Sequence, residues 1–271
     1  MSASGAADGL DVARLPLREI RAQLEAAGDP ALRTLLLRGL ERDPRRGARA
    51  LAQAFERRAA ARRAESRRLA KLFALRGRLV AGGVRHVAGV DEVGVGPLAG
   101  PLVAAAVVLP ARVELPGLDD SKRLSRAQRE RLDGAIRAQA LALAVAEVSV
   151  EDVDRLNVLR ATLLAMRRAV AALALHPDHI LVDARTIPGI DVPQTAIVSG
   201  DARDGSIAAA SIVAKVHRDA IMRRLDTLHP GYGFASHKGY GTCAHLAALA
   251  RLGPTSVHRR SFGPVAQLAL C

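Results

Sequence analysis

Residues 86–101 read HVAGVDEVGVGPLAGP: a short apolar run ends in two adjacent acids, and three glycines and two prolines follow. Successive side chains of a β-strand point to opposite faces, so Asp91 and Glu92 diverge unless the strand ends or bends between them. Glycines supply such a bend, because a residue without a Cβ accepts positive φ and lets another backbone or a ligand come close. Alone, the stretch is more typical of a strand end with two solvated acids and a tight turn.

The composition bounds the kind of protein. With 271 residues, the chain is long enough for one large domain or for one domain with an extension. Hydrophobic residues make up 49% and aromatic residues only 2%, which predicts an aliphatic core. Residues 1–85 contain 19 basic residues against 9 acidic ones. Such an arginine-rich segment indicates a polyanionic partner such as nucleic acid, although an anionic membrane surface would attract it equally well.

The two cysteines, Cys243 and Cys271, are too few for a zinc site and form no disulfide framework. No signal peptide pattern opens the sequence, and no apolar run approaches the roughly 18 residues that a membrane helix needs. We therefore expect a reducing, cytoplasmic setting without a membrane partner, and a monomer by default.

Helical patterns precede the quoted stretch. Residues 15–40 predict a helical hairpin that turns at Gly28-Asp29-Pro30. Residues 45–78 predict one long helix with a thin apolar stripe and a dense guanidinium face, which fits a solvated linker or a nucleic-acid grip equally well. Glycines at 77, 82 and 83 mark a boundary, so we expect a basic helical extension over residues 1–83 and a second domain over residues 84–271 that ends in a helical segment.

From about residue 84, short aliphatic runs alternate with helical patterns. Strands are predicted for the run before Asp91 and for residues 101–109, 140–150, 179–183 and 195–199. Helices are predicted for residues 125–138, 151–175, 206–228 and 243–252. This alternation indicates a three-layer α/β domain.

Acids follow several of these strands. Asp183 ends the fourth strand and Asp201 comes just after the fifth, and acids at strand ends gather at one edge of an α/β sheet. Asp91, Glu92, Asp183 and Asp201 are therefore expected to converge, although each alone is more typical of a cap or turn, as we interpret Asp204. Clustered carboxylates repel unless a cation lies between them, and oxygen ligands suit Mg²⁺ or Mn²⁺. Two such ions about 4 Å apart hold the attacking water and the leaving oxygen of a phosphodiester.

A set of collinear segments makes the pattern specific: Gly89–Gly94, Gly96–Pro101, Asp120–Lys122, Leu181–Ala184, Gly200–Ala202, Ser206–Ser211, Ala214–Lys215, Arg218–Asp219, Pro230–Phe234, His237–Thr242 and His258–Phe262. From about residue 84 to residue 264 these segments resemble the bacterial ribonuclease HII family. The resemblance implies a ribonuclease H-like three-layer fold with a central mixed five-stranded sheet, preceded here by an α-helical N-terminal region of the kind that some bacterial members carry. It also implies metal-dependent cleavage of the RNA strand of RNA–DNA hybrids and of single ribonucleotides embedded in duplex DNA, as in ribonucleotide excision repair.

By this resemblance, the metal-binding catalytic acids are Asp91, Glu92, Asp183 and Asp201, with Mn²⁺ or Mg²⁺ as cofactor. Incision is then expected on the 5′ side of a ribonucleotide, leaving a 3′-hydroxyl and a 5′-phosphate.

The same resemblance implies the substrate contacts. The backbone of Gly94, Val95 and Gly96 would read the 2′-hydroxyl, which distinguishes RNA from DNA. Tyr240 would stack on the sugar of the following deoxynucleotide. Phosphate contacts are expected from Lys122, and from Ser211 and Lys215, which stand one helical turn apart. We interpret Asp219 as a structural ion pair or cap. His258, Arg259 and Arg260 are more typical of packing and surface charge than of catalysis, with backbone contacts as the alternative.

One position departs from the family pattern. Val95 stands where the family usually has a basic residue, so recognition by the backbone survives while a side-chain contact to phosphate is lost. Weaker substrate binding is the expected consequence. Two alternatives remain: another two-metal nuclease or strand-transfer enzyme of this fold, against which the glycine motif and Tyr240 argue, and a non-catalytic nucleic-acid-binding protein, against which all four acids argue.

Overall fold

The computed structural model describes residues 12–268, and these divide into two compact units between Arg67 and Arg68. A short 3-10 helix at Val12–Arg14 comes first. The later elements are α1 (Leu17–Ala26), α2 (Pro30–Arg42), α3 (Arg46–Leu72), α4 (Ala74–Ala81), β1 (Val87–Val93), β2 (Leu102–Val108), α5 (Arg126–Gln139), β3 (Ala142–Val148), α6 (Val150–Leu156), α7 (Val158–Ala171), β4 (His179–Asp183), β5 (Gln194–Ile197), α8 (Gly200–Arg203), α9 (Gly205–Leu228), α10 (Phe234–His237), α11 (Cys243–Leu252) and α12 (Gly263–Leu268).

The first unit contains the predicted helical hairpin. α2 begins at Pro30, a residue whose missing N–H costs nothing at that position, and the Asp29 carboxylate accepts a 2.8 Å hydrogen bond from the Ala31 N–H. Leucine and isoleucine side chains of α1 and α2 pack with the start of α3 in a buried cluster. The unit therefore has a small aliphatic core of its own.

The predicted long helix over residues 45–78 is wrong at one point, because it breaks at Phe73 into α3 and α4. Exposed arginines of α3 lie at positions 57, 58, 62, 63 and 67. At 100° per residue these positions surround the helix, so the expected guanidinium face is instead a cationic surface on all sides.

The second unit contains the predicted mixed five-stranded sheet, with strand order β3-β2-β1-β4-β5. β1 pairs antiparallel with β2 and parallel with β4, so it lies at the centre. One face of the sheet packs against α7, and the other packs against α5 and α9. The three-layer prediction is confirmed, and alanines on β2 and α9 let these layers approach closely without aromatic residues.

One detail differs from the prediction. The expected helix over residues 151–175 is two helices, because Asn157 has a φ of 72° and its side chain caps α7 through the Arg160 N–H at 3.1 Å.

The domain boundary at residues 83–84 stays a prediction, and the division between compact units lies at residues 67–68. Leu69, Leu72 and Phe73 pack into the core beside α9, which joins residues 68–81 to the second unit.

No helix among residues 12–268 is both long and apolar enough to cross a membrane. Cys243 is an exposed free thiol, and Cys271 lies outside the described residues.

Gly89 generates a stability prediction. A Cβ at this position would lie 2.1 Å from the Ser206 carbonyl atoms, so a Gly89→Ala side chain would separate β1 from α9. We expect Gly89→Ala to lower the free energy of unfolding by about 3 kcal/mol or more, at the upper end of overpacking costs, as measured by urea unfolding. Gly134→Ala on α5 is the matched control, because open space surrounds its Cβ position. It should stabilise by about 0.5–1 kcal/mol, and equal effects of the two substitutions would contradict the close packing.

Candidate active site

Three carboxylates meet at one edge of the sheet. The parallel register places Val90 opposite Val182, so Asp91 and Asp183 come next on neighbouring strands. Asp91, Glu92 and Asp183 each offer an oxygen, and these three oxygens lie within 4.8 Å of one another. The strand does not end between the two adjacent acids, since β1 continues to Val93. Its pairing with β4 stops at Val90, and beyond that point a Glu92 oxygen lies in the same space as those of Asp91 and Asp183.

Asp201, the fourth predicted acid, is not among these three oxygens, but its charge acts on the trio and, after the larger effect of burial, helps to raise the pKa values of Asp183 and Glu92. It is buried in the first turn of α8, and its carboxylate accepts a 2.8 Å hydrogen bond from the Lys122 ammonium. The Lys122 side chain is 78% exposed, so this ammonium faces solvent at the rim of the acidic cluster. Lys122 is thus an accessible cation next to the place where the carboxylates gather.

Backbone geometry fixes Asp183. The Gly200 N–H donates to its Oδ1 at 2.6 Å, and a Cβ on Gly200 would lie 3.2 Å from that oxygen and 2.6 Å from Ile207. Ala184 and Ser199, which flank this contact, have left-handed φ values of 57° and 56°. Each such residue stores about 1–3 kcal/mol of strain, a cost that concentrates at functional sites.

Ser211 and Lys215, the predicted phosphate contacts on α9, are both engaged within the protein. The Ser211 hydroxyl is buried and hydrogen-bonds Asp91 and the Ser121 hydroxyl, the latter at 3.0 Å. The Lys215 ammonium donates to Asp219 at 2.6 Å, so Asp219 forms the structural ion pair that was expected. In this arrangement Ser211 orients Asp91, and contact of either residue with phosphate stays a prediction.

The electrostatics of the trio favour a cation. Burial, and then repulsion by Glu92, hold the pKa of Asp91 well above its usual range. Burial and the Asp183 charge raise the pKa of Glu92 to about 7, and burial also raises the pKa of Asp183. A bound divalent ion would offset both desolvation and repulsion, and an all-oxygen donor set fits a hard ion. The residues present therefore fit a divalent metal.

Two buried arginines organise the glycine loop, residues 94–100, which leads away from the acids. The Arg259 guanidinium donates to the carbonyl oxygens of Gly94 at 2.6 Å, Val95 at 3.0 Å and Gly100 at 2.9 Å. Arg218 donates to the carbonyl oxygens of Pro101, Ala99 and Lys238 at 2.9–3.0 Å. Burial lowers the pKa of both guanidinium groups to about 10, which leaves them charged at neutral pH. The sequence-based interpretation of Arg259 as packing or surface charge missed this role, because nothing in its local pattern indicates burial.

The glycine loop lies beside Tyr240. A Cβ on Gly96 would lie 3.7 Å from the Tyr240 ring, and the ring is 45% exposed. The Leu98 N–H donates to the Gly239 carbonyl at 2.8 Å, which ties the loop to the segment that carries the tyrosine. Within residues 12–268, the peptide N–H groups of Val95 and Gly96 donate to no protein acceptor. The structure thus brings an exposed aromatic ring and free backbone donors together.

The start of α9, just after the helix that carries Asp201, lies against Phe73. Asp204 caps α9, as expected for this acid, by accepting from the Ser206 N–H at 2.7 Å. A Cβ on Gly205 would lie 2.4 Å from the Phe73 ring, so that ring covers the start of α9. Arg76, also buried, donates to the Leu109 and Pro110 carbonyl oxygens. Burial raises the pKa of Asp204, and hydrogen bonds from Ser206 and Ile207 and, least, the Arg76 charge act in the opposite direction. No sequence pattern indicates that Phe73 covers the start of α9.

Comparison with known families agrees with the geometry. Residues 88–265 match the family model described as Ribonuclease HII, and residues 16–75 match the one described as Ribonuclease HII N-terminal domain. The chain belongs to the ribonuclease HII family. The expected membership of the type 2 ribonucleases H is confirmed, and so is the helical region that precedes the catalytic fold.

Individual relatives of this ribonuclease HII chain give the same result. It is 51% identical over 255 residues to Ribonuclease HII from Anaeromyxobacter sp., covering 94% of this chain and 81% of the relative. It is also 51% identical over 250 residues to Ribonuclease HII from Myxococcus xanthus, covering 92% and 85%. The crystal structure of ribonuclease H2 from Pyrococcus horikoshii OT3 superposes with a TM-score of 0.55 at 25% identity, covering 68% of this chain and 96% of that one.

The raised pKa of Glu92 predicts how stability depends on pH. The pKa of this group is about 7 in the folded chain against an ordinary 4.5, so the folded state holds a proton that the unfolded state has released. In metal-free buffer the free energy of unfolding should therefore fall as pH rises from about 4.5 to 7. Glu92→Gln should remove the part of this dependence that Glu92 causes, leave the part from Asp91 and Asp183, and be more stable than the parent at pH 8 by about 2 kcal/mol, as measured by thermal and urea unfolding.

The matched control is Glu114→Gln, which replaces an exposed glutamate. It should keep the parental pH profile. A Glu92→Gln profile that parallels the parent would show that burial and repulsion do not act on this carboxylate.

Proposed function

We propose that this chain is an endoribonuclease that incises 5′ of a ribonucleotide in RNA–DNA hybrids and in duplex DNA with single ribonucleotides, leaving a 3′-hydroxyl and a 5′-phosphate. The main observation in support of this proposal is the convergence of the Asp91, Glu92 and Asp183 oxygens within 4.8 Å, next to a glycine loop with free N–H donors. Membership of the ribonuclease HII family supports the reaction class.

The four acids have distinct tasks in this proposal. Asp91, Glu92 and Asp183 would hold Mg²⁺ or Mn²⁺, and Asp201 would complete the set from α8. When bound, a pair of such ions supplies a nucleophilic water and stabilises the charge on the leaving oxygen. Ser211 and the Gly200 N–H keep Asp91 and Asp183 in place, so the oxygens need no rearrangement before the substrate arrives. The exposed Lys122 ammonium is placed to neutralise a phosphate next to the acids.

Recognition of RNA falls to the backbone of the glycine loop. Arg259 binds the carbonyl oxygens of Gly94 and Val95, while the N–H groups of Val95 and Gly96 remain available. These donors can bind the oxygen of a 2′-hydroxyl, which DNA lacks. Tyr240, beside Gly96, is placed to pack on the next sugar. This recognition uses no side chain at position 95 and therefore tolerates Val95.

A non-catalytic nucleic-acid-binding role is the second candidate, and it is disfavoured by the energetic cost of the acidic trio. Pure binding of a polyanion gains nothing from three mutually repelling carboxylates, of which Asp91 is buried and the other two are partly buried. The cytoplasmic setting and the monomeric state stay predictions.

Asp91→Asn tests the reaction. The parent should cut a duplex with one ribonucleotide in Mg²⁺ or Mn²⁺ and fail in chelator, and Asp91→Asn should cut at least about 100-fold more slowly, because one metal ligand and its charge are lost. The readout is single-turnover cleavage on a denaturing gel. The control, Asp191→Asn, alters an exposed loop acid and should cut like the parent. Absence of metal-dependent incision by the parent would reject the proposal.

Val95→Arg tests the missing basic side chain. Val95 is 37% exposed beside the proposed substrate path, so an arginine there should gain a phosphate contact. We expect a several-fold lower KM on the single-ribonucleotide duplex, with a slope of log affinity against log salt that is steeper by about 1. Leu141→Arg adds the same charge at an exposed position before β3 and should leave KM unchanged. An unaltered KM and salt slope for Val95→Arg would exclude the contact.

A further inference from the structure

Three histidines that the proposed reaction does not use border the segment carrying Tyr240. His245 and His258 are buried, with 0% and 1% exposure, and their Nε2 atoms lie 3.1 Å apart. The His237 ring stacks on the His245 ring, with centroids 4.4 Å apart and planes inclined by 14°. Buried ring nitrogens need hydrogen-bond partners, so each ring in this cluster has to carry its proton on a definite nitrogen.

The acceptors around His245 and His258 determine that arrangement. The Tyr240 carbonyl, 2.9 Å from His245 Nδ1, can only accept, so His245 carries its proton on Nδ1. His245 Nε2 then accepts, and His258 must donate from its own Nε2. His258 Nδ1 is left to accept from the Thr255 N–H at 3.0 Å. Burial lowers the pKa of both rings, that of His258 to about 4, which keeps them neutral as this pattern requires.

The result is a one-way chain of hydrogen bonds that runs from Thr255 through His258 and His245 to the Tyr240 carbonyl. His237 holds the adjacent backbone in the same way. Its Nε2 donates to the Tyr232 carbonyl at 2.7 Å, and its Nδ1 accepts from the Gly239 N–H at 3.1 Å. His245 therefore holds the carbonyl of Tyr240, and His237 holds the N–H of Gly239, the residue before it.

The same segment also fixes the glycine loop. His258 pairs with Ala99 in an isolated β-bridge, and the Gly100 N–H donates to the Val257 carbonyl at 2.8 Å. The Arg259 N–H donates to the Leu98 carbonyl at 2.8 Å. Residues 257–259 thus connect the glycine loop on one side with the histidine chain to Tyr240 on the other.

We propose that His245 is a positioning residue for substrate discrimination, which sets the place of the Tyr240 ring relative to Gly96 by holding the Tyr240 carbonyl. The inference rests on the proposed function, because it assigns Tyr240 to the sugar that follows the ribonucleotide. His245 has no contact with the acidic trio, so its loss should alter the choice between substrates more than the rate of cleavage.

Substitutions at position 245 separate the two ring nitrogens. Asparagine places an amide nitrogen where Nδ1 lies and keeps the donor to Tyr240, whereas glutamine places its polar end near Nε2 and loses that donor. The ratio of kcat/KM for a single-ribonucleotide duplex to kcat/KM for a continuous RNA–DNA hybrid should fall at least tenfold in His245→Gln. It should stay within threefold of the parent in His245→Asn and in His176→Gln, an exposed control. Cleavage of the hybrid should stay within threefold throughout.

A parental ratio in folded His245→Gln overturns the proposal, and so does an equal loss on both substrates, which indicates a merely structural role. Nitrogen NMR of the unmutated, full-length chain tests the hydrogen-bond chain without any activity: His245 should be protonated at Nδ1, and His258 at Nε2. The opposite tautomers would overturn the proposal even if every variant failed to fold. If the parent cut neither substrate, the proposed function would fail, while the NMR result would still decide the hydrogen-bond chain.

Discussion

Repulsion among three carboxylates is the constraint that the rest of this domain has to satisfy. Asp91, Glu92 and Asp183 would separate in a flexible chain, and here they are held by a central strand, its parallel neighbour and a glycine N–H. The layers around β1 therefore need to be rigid, and the small residues that let α9 approach the sheet provide that rigidity. A bound divalent ion would offset the repulsion among these carboxylates. It would find its ligands already in place, because the fold has brought them together.

Two buried arginines fix the shape of the glycine loop, which has no regular secondary structure. Each guanidinium has several donors in one plane, and Arg218 and Arg259 use them on carbonyl oxygens that a loop would otherwise turn toward water. The exposed part of the glycine loop therefore carries the free N–H groups of Val95 and Gly96. In the proposed function these N–H groups would bind oxygen lone pairs, which both a hydroxyl and a phosphate offer, so Tyr240 would have to supply the finer selection.

Much of this could be predicted from the sequence, because the signals are local. The acids that follow strands, the turn at residues 28–30 and each of the family segments are short patterns that span only a few residues. The features that could not be predicted depend on contacts between distant segments. Burial of Arg259, the break at Phe73 and the pairing of Asp201 with Lys122 are set by partners far away in the chain. The break at Asn157 is local, but one asparagine in a helical pattern does not reveal its positive φ.

The contact between Phe73 and Gly205 changes where the catalytic part of the chain begins. A polypeptide that started at residue 84, after the glycines, would lack the aromatic cover of the first turn of α9 and the charge beside Asp204. Asp201 lies in the helix just before that turn, so the loss would reach the acidic edge itself. The last turns of the helical extension are therefore part of the core of the second unit, which begins at Arg68.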